Sequence, residues 1–360
     1  MKKIKDYFLN KLFFPKVALI ETPGIILSKT TRKYSKHSSL KRIIFDFENI
    51  IIEIYKTTTK KIGKKKTSKL WYEIGKDVGT MYFSFSKNKK IPKSLIPNIL
   101  EYIIKNLQVS GGSGLNTFKF DMKNKTLMLS GKSNAYCRKT ADASMTAGLM
   151  SGIFSFFMEE NIEANALCKN CPDNCKIFLS PKIKEKYIPQ KILNNVETYE
   201  LKQKTPTKGF SFQDFVKFKK IKINEDGKNF FENFLILPTS PRFLDLIIKK
   251  YQDNNLENEL NLAIRNSTNK IGKTLFNNQN NNQSLQKLQH IYSAFGWGHV
   301  DITKGKKLII NVDEIPFSKQ SENYFISHIL GFLDCIYAKK IKFENIKRYN
   351  TNSATLSFCP

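Results

Sequence analysis

The sequence has no uncharged apolar run long enough to cross a membrane. Charged residues and proline (Lys11, Pro15 and Lys16) interrupt the apolar residues of the N-terminal stretch 1–24, whereas a spanning helix needs about 18 apolar residues or more. No small-residue cleavage site follows the basic start, which argues against a signal peptide. We expect a soluble, cytoplasmic protein, in which residues 1–14 either pack on the following domain or lie on a membrane surface as a basic amphipathic helix.

Cysteine and acidic residues are both scarce. Six cysteines among 360 residues are too few for a disulfide scaffold, which favours a reducing compartment. Lys and Arg number 60 against 31 Asp and Glu, so the formal net charge is +29. This charge favours contact with nucleic acid or anionic lipid. Abundant Lys, Asn and Ile are also typical of AT-rich genomes, so a purely compositional interpretation stays open.

No catalytic constellation is apparent. The histidines are scattered at His37, His290, His299 and His328, and none pairs with a Ser or Cys in a pattern typical of nucleophilic catalysis. Paired carboxylates at matched spacing are also missing. The glycine-rich segment 110–114 lacks the Gly-Lys-Ser/Thr ending of a phosphate loop. We therefore expect a binding protein rather than an enzyme.

The most distinctive stretch runs from Ala147 to Pro181. It predicts an apolar helix rich in small residues, then a short strand, then three cysteines in a C-x2-C-x3-C pattern, Cys168, Cys171 and Cys175. Thiolates at this spacing can share one zinc ion, and Cys137 is the candidate for a fourth ligand. Four thiolates would form a closed, structural zinc site. Unligated thiols and an iron–sulfur cluster are the alternatives.

The same helix supplies a candidate pocket for a small apolar ligand. The side chains expected to line it are Leu149, Met150, Phe154, Phe157 and Met158. Methionine adapts to irregular apolar shapes, and apolar cavities suit hydrocarbon-like ligands. A simple packed core is the alternative interpretation of each of these residues.

Patterning elsewhere predicts alternating helices and strands. The first half is expected to contain two strands over Arg42–Tyr55, a lysine-rich loop over Lys60–Lys69, helices over Leu70–Phe83 and Ile96–Leu107, and a hairpin over 118–129. The second half is expected to contain strands at Phe215–Ile223 and Phe230–Leu237, helices over 241–250, 257–276, 286–295 and 324–337, and four C-terminal strands at 300–302, 308–312, 341–346 and 355–358.

The second half repeats the order of elements in the first. Gly152–Pro181 aligns without a gap on Gly331–Pro360, a shift of 179 residues, and VGTMYF at Val78–Phe83 resembles IGKTLF at Ile271–Phe276. The three clustered cysteines fall on Lys347, Asn350 and Ala354. We divide the chain into a basic segment (1–39), a first domain (40–181), a linker (182–209) and a second copy without the thiols (210–360).

Short motifs in this order resemble the 4-vinyl reductase-type, or hydrocarbon-binding, domain. They are YEIGKDVG at Tyr72–Gly79, GLMSG at Gly148–Gly152 and the strand pair carrying Cys168 and Cys175. The resemblance covers most of residues 40–181, and a degraded version covers 210–360. It implies an α+β fold with helices packed on an antiparallel sheet, similar to TRAPP vesicle-tethering subunits. It also implies small-molecule sensing, with zinc held by an acidic residue and cysteines.

The chain departs from that family's pattern at the zinc ligands. The acidic position is Asn165 in the first copy, whereas the second copy has Glu344 but no cysteine at the positions of the clustered cysteines. The upstream cysteine position falls near Ala143, six residues after Cys137, and Cys171 is additional. Zinc binding is therefore expected from the cysteines of this chain rather than carried over from the family.

Two other functions remain as alternatives. A nucleic-acid-binding protein would use Lys60, Lys61, Lys64, Lys65 and Lys66, with the basic segment 32–42, as phosphate contacts. An interaction or tethering subunit would form a homodimer or bind a protein partner through the second copy. We expect small-molecule binding to be the main function.

Overall fold

The computed structural model describes residues 16–31, 39–84, 93–109, 114–132, 137–168, 175–182, 209–223, 228–350 and 352–359. The predicted N-terminal helix, most of the glycine-rich turn, most of the linker and the turn at 225–227 lie outside these ranges. Within them, helices pack on three antiparallel sheets. The predicted α+β class is therefore confirmed. In the part of the chain so described, no helix has the length and apolar character that crossing a membrane requires.

The strands and helices alternate along the chain. The strands are β1 (Lys16–Thr22), β2 (Ile25–Thr31), β3 (Ser39–Phe47), β4 (Gly114–Asp121), β5 (Thr126–Lys132), β6 (Ile162–Cys168), β7 (Cys175–Pro181), β8 (Ile221–Ile223), β9 (Asn229–Phe231), β10 (Phe234–Thr239), β11 (His299–Lys304), β12 (Leu308–Asp313), β13 (Lys342–Asn350) and β14 (Ser353–Cys359). The helices are α1 (Glu48–Ile62), α2 (Lys64–Ser84), α3 (Ile96–Val109), α4 (Ser144–Met158), α5 (Phe212–Lys217), α6 (Pro241–Asp253), α7 (Glu257–Leu275), α8 (Asn281–Ala294) and α9 (Glu322–Ile336).

A six-stranded sheet joins the two halves of the chain. Its order is β1-β2-β3-β10-β9-β8, with Phe47 of β3 opposite Ile236 of β10. Apolar side chains of α1 and α2 also share one buried cluster with those of α6–α9. The division into residues 40–181 and 210–360 remains a prediction, and the two segments share this sheet and this cluster.

Two four-stranded sheets have the same strand order, and their central strand pairs have the same register. The first is β4-β5-β7-β6 and the second is β11-β12-β14-β13. Leu179 lies opposite Leu127, and Phe358, 179 positions later, lies opposite Leu308. The amide at the corresponding position after each apolar helix, in or just before the next strand, is also bound alike. Ile162 N donates to Ser155 Oγ at 2.9 Å, and Ile341 N donates to Asp334 Oδ1 at 2.7 Å.

Helices α2 and α4 contact each other through their backbones. Gly75 and Gly79 of α2 lie against the carbonyl oxygens of Met145 and Leu149, so that any β-carbon would overlap them. Gly148 and Gly152 of α4 face the carbonyls of Tyr72 and Lys76 in the same way. Glycine spaced four residues apart on both helices is what permits this approach, because it carries no β-carbon.

The predicted second strand within Arg42–Tyr55 is wrong. Strand β3 ends at Phe47 and α1 begins at Glu48. Ile50 and Ile54 are spaced i, i+4, as are Ile51 and Tyr55, and all four are buried on one face of α1. Helical burial of this face overrides the strand preference of the isoleucines.

Two other predicted elements also differ. The expected loop at Lys60–Lys69 is helical apart from Gly63, whose φ of 81° separates α1 from α2. The expected strand at Phe215–Ile223 begins as helix α5, because Ser211 and Asp214 form a capping box at its N-terminus. Only Ile221–Ile223 of that segment is a strand.

We expect Gly148→Ala to lower the free energy of unfolding by about 3 kcal/mol or more, because the added methyl would overlap the Tyr72 carbonyl. Urea denaturation measures the change. Gly305→Ala is the control, since its β-carbon would meet only Lys307 O, at 3.7 Å, and should cost about 0.5 kcal/mol or less. Equal losses in the two variants would contradict the backbone contact.

Candidate metal and ligand site

Two of the predicted zinc ligands lie opposite each other at one end of the first four-stranded sheet. Cys168, the last residue of β6, is directly opposite Cys175, the first residue of β7. Cys175 also pairs with Gly131 of β5, and Cys137 follows the end of β5 by five residues. Cys137 and Cys175 are both 0% exposed and belong to the same apolar cluster. Cys171 and the side chain of Cys168 lie outside the described residues.

Cys137 and Cys175 are buried in apolar surroundings, so neither presents its sulfur to solvent. Structural zinc is closed by four protein ligands, whereas catalytic zinc keeps one position open to solvent. Among the described side chains, no three or more His, Cys, Asp or Glu form a group able to hold a metal. That set contains only Cys137 and Cys175 of the four predicted ligands, so the zinc site remains a prediction.

The five predicted ligand-binding residues belong to one apolar cluster. Met150 and Phe154 are completely buried and Phe157 is buried, whereas Leu149 and Met158 are partly buried against the cluster. Side chains of α3 and of the sheet complete the cluster, including Leu100, Ile104, Leu127, Leu129 and Ile177. The five residues selected from the sequence are thus members of one cluster, and their role in ligand binding remains a prediction. In this structure they pack on one another and on their neighbours.

The turn before α4 is held by buried polar contacts. Arg138 binds Glu48 of α1 with two hydrogen bonds, at 2.6 and 3.3 Å, and Glu48 is 0% exposed. Asp142 accepts hydrogen bonds from Tyr55 and Ser68 and from the backbone of Ser144. Burial raises the pKa of Asp142, but the hydrogen bonds outweigh burial and lower it below its usual value. The pKa of Tyr55 is raised to about 12, mainly by burial.

Sequence reasoning missed a buried polar network that joins the two halves. Asp46 of β3 accepts hydrogen bonds from Tyr324 at 2.6 Å and from the backbone N–H of Phe47 at 2.8 Å, and it contacts His328 at 3.2 Å. The Tyr292 hydroxyl lies 2.7 Å from His328 Nδ1. Burial, with the charge of Asp46, raises the pKa of Tyr292 and Tyr324 well above the usual value. The one local signal is an aspartate between two phenylalanines in an apolar strand.

The lysines proposed for nucleic acid are exposed where α1 meets α2. All five, Lys60, Lys61, Lys64, Lys65 and Lys66, reach solvent, and Lys61 pairs with Glu259 at 2.9 Å. Arg42, at the end of the basic segment 32–42, is half-buried instead. Its guanidinium donates to the carbonyls of Gly296 and Glu314 at 2.9 and 3.0 Å. Arg42 therefore fastens β3 to the second half.

Comparison with protein-family models and with curated proteins finds no match to this chain. Among solved structures, it is similar to the phenol-responsive sensory domain of the transcription activator PoxR, solved with phenol. The match covers 42% of this chain and 84% of that one, with a TM-score of 0.33 and 16% sequence identity. A similarity of this extent assigns neither ligand nor function, so the resemblance to the 4-vinyl reductase-type domain stays a hypothesis.

Proposed function

We propose that the first half binds a small apolar molecule and that cysteines at the end of its sheet hold a structural zinc ion. One observation supports the proposal that an apolar ligand binds here. All five residues selected from the sequence belong to one cluster, enclosed by α3, α4 and the β4–β7 sheet. Met150 and Met158 are unbranched and adapt their shape, which suits a site that admits an apolar guest.

The zinc ion would fasten three segments together. Bound by Cys137, Cys168, Cys171 and Cys175, it would join the β6–β7 strand pair to the turn that precedes α4. As a closed site it would supply stability to this end of the sheet and no reactive water. The pairing of Cys168 with Cys175, together with the burial of Cys137, supports this arrangement.

Elemental analysis of the purified native protein tests the metal. We expect about one zinc per chain in the wild type. Cys168→Ser and Cys175→Ser should lose the zinc and melt at a lower temperature, because each removes a ligand. Cys359→Ser is the control, since Cys359 is exposed at the end of β14. Absence of both zinc and iron, or a Cys168–Cys175 disulfide in the intact mass, would end this proposal. Iron in place of zinc would favour the alternative of an iron–sulfur cluster bound by these cysteines.

A neutral fluorescent probe, Nile red, tests the apolar site without interference from the positive charge. Met150→Phe should weaken saturable binding by about tenfold, because the larger ring takes up space within the cluster. Ile329→Phe is the matched control, since Ile329 lies 179 positions later on α9 and is also 0% exposed. Both variants carry a similar overpacking cost, which thermal unfolding measures. Equal loss of binding in the two, or no saturable binding in the wild type, would refute the proposal.

Nucleic-acid binding is the second candidate, favoured by the five exposed lysines at the junction of α1 and α2. If these lysines contact phosphates, the logarithm of the affinity for duplex DNA falls linearly with the logarithm of the salt concentration. A triple variant should reduce the steepness of that line by about 3. It combines Lys64→Gln, Lys65→Gln and Lys66→Gln. The matched triple variant replaces the exposed Lys217, Lys219 and Lys220 with Gln. Filter binding over a range of salt concentrations measures both slopes, and equal changes would indicate charge without a defined surface.

A further inference from the structure

We infer that a cleft between α1 and α7 binds a small anionic molecule, a function beyond the one proposed above. The cleft has a volume of about 240 Å³. Lys56 of α1, Lys139 of the turn before α4 and Lys270 of α7 surround it. Asn49 and Ser267 add neutral hydrogen-bonding groups, and apolar side chains from α1, α7 and β10 complete the wall.

The charges around the cleft are unbalanced. Glu53 is the single carboxylate among the lining residues and pairs with Lys270 at 3.1 Å. Within the described residues, neither Lys56 nor Lys139 takes part in an ion pair. Both lysines are exposed, so two positive charges without a carboxylate partner in the described ranges border one concave surface. An anion placed between them would relieve their repulsion.

Tertiary structure, rather than local composition, creates this arrangement. The three lysines come from three separate parts of the chain, unlike the consecutive lysines at 64–66. The backbone around Lys139 is fixed, because its neighbour Arg138 is held by buried Glu48, and Ala141 N donates to Cys137 O at 3.0 Å. Lys139 is therefore presented to the cleft from an anchored turn.

The size and shape of the cleft indicate the class of ligand. A cavity of about 240 Å³ admits a small metabolite, whereas a nucleic-acid backbone requires an extended basic surface. Lysine binds phosphate and carboxylate oxygens as a point charge. We therefore assign the cleft to a small molecule carrying phosphate or carboxylate groups.

Isothermal titration of the full chain with inorganic pyrophosphate, and separately with citrate, tests the assignment at constant ionic strength. The probe that binds more tightly shows whether the cleft prefers phosphate or carboxylate groups. Lys56→Gln and Lys139→Gln should each weaken saturable binding by about tenfold, since a hydrogen bond to a charged group is worth that much. Lys273→Gln is the matched control, because Lys273 is exposed one turn beyond Lys270 on α7 and does not line the cleft. It should leave the affinity unchanged.

Glu53→Gln provides an independent test in the opposite direction. It removes the single carboxylate of the lining and frees Lys270, so it should tighten binding of the same probe. Weaker binding in this variant would overturn the assignment. Absence of saturable binding with both probes would overturn it as well. An equal loss in Lys273→Gln and Lys139→Gln would show attraction by general charge and would likewise exclude the cleft.

Discussion

The backbone contact between α2 and α4 determines the geometry of the first half. Because Gly75, Gly79, Gly148 and Gly152 bring carbonyl oxygens within reach of the opposite helix, no intervening side chain is free to adjust the spacing. The contact therefore fixes the rotation of α4. That rotation in turn decides which of its side chains, Met150 among them, enter the cluster beneath the sheet.

The same contact positions the strand that ends at Cys168. Two residues whose carbonyls face the glycines of α4 also reach β6 with their side chains. The Tyr72 hydroxyl donates to Glu163 at 2.7 Å and accepts from Ala164 N at 3.0 Å, and Lys76 binds Glu163 at 2.9 Å. Burial raises the pKa of Glu163, but the hydrogen bonds from Tyr72 and Lys76 outweigh it and lower the pKa. Helix contact and strand attachment are thus one continuous unit.

The second half keeps this scaffold with different bonds. Gly331 of α9 lies against the carbonyl of Arg265, whereas its counterpart Gly152 lies against that of Lys76. Arg265 fastens its helix to Asp334 and to the Ile341 carbonyl, at 2.6 to 2.8 Å. By this contact Lys76 of α2 corresponds to Arg265 of α7, a shift of 189 residues. The sequence match of Val78 with Ile271 gives a shift that is one helical turn longer. A shift of one helical turn leaves the same face of the helix inward. The pattern of apolar residues therefore fits both alignments and does not distinguish them.

Local patterns predict local structure well here and long-range pairing poorly. The helix spacing of Leu70, Ile74, Val78 and Met81 and the hairpin of β4 with β5 follow from periodicity, and both are present. The pairing of β3 with β10 joins residues 189 to 195 positions apart, and no local pattern specifies such a partner. The cleft lysines escape sequence reasoning for the same reason, since they meet only after α1, the turn before α4 and α7 have packed.

One short turn links the two candidate sites. Cys137, Arg138 and Lys139 are consecutive, so the residue proposed to hold zinc, the residue bound to buried Glu48 and the residue that faces the cleft share one backbone. Any contact that fixes Cys137 therefore restrains Lys139 through two peptide units. Glu48 belongs to α1, which also carries Glu53 and Lys56 and packs in the cluster shared with the second half. Stability at the end of the first sheet and the geometry of the cleft thus depend on the same few contacts.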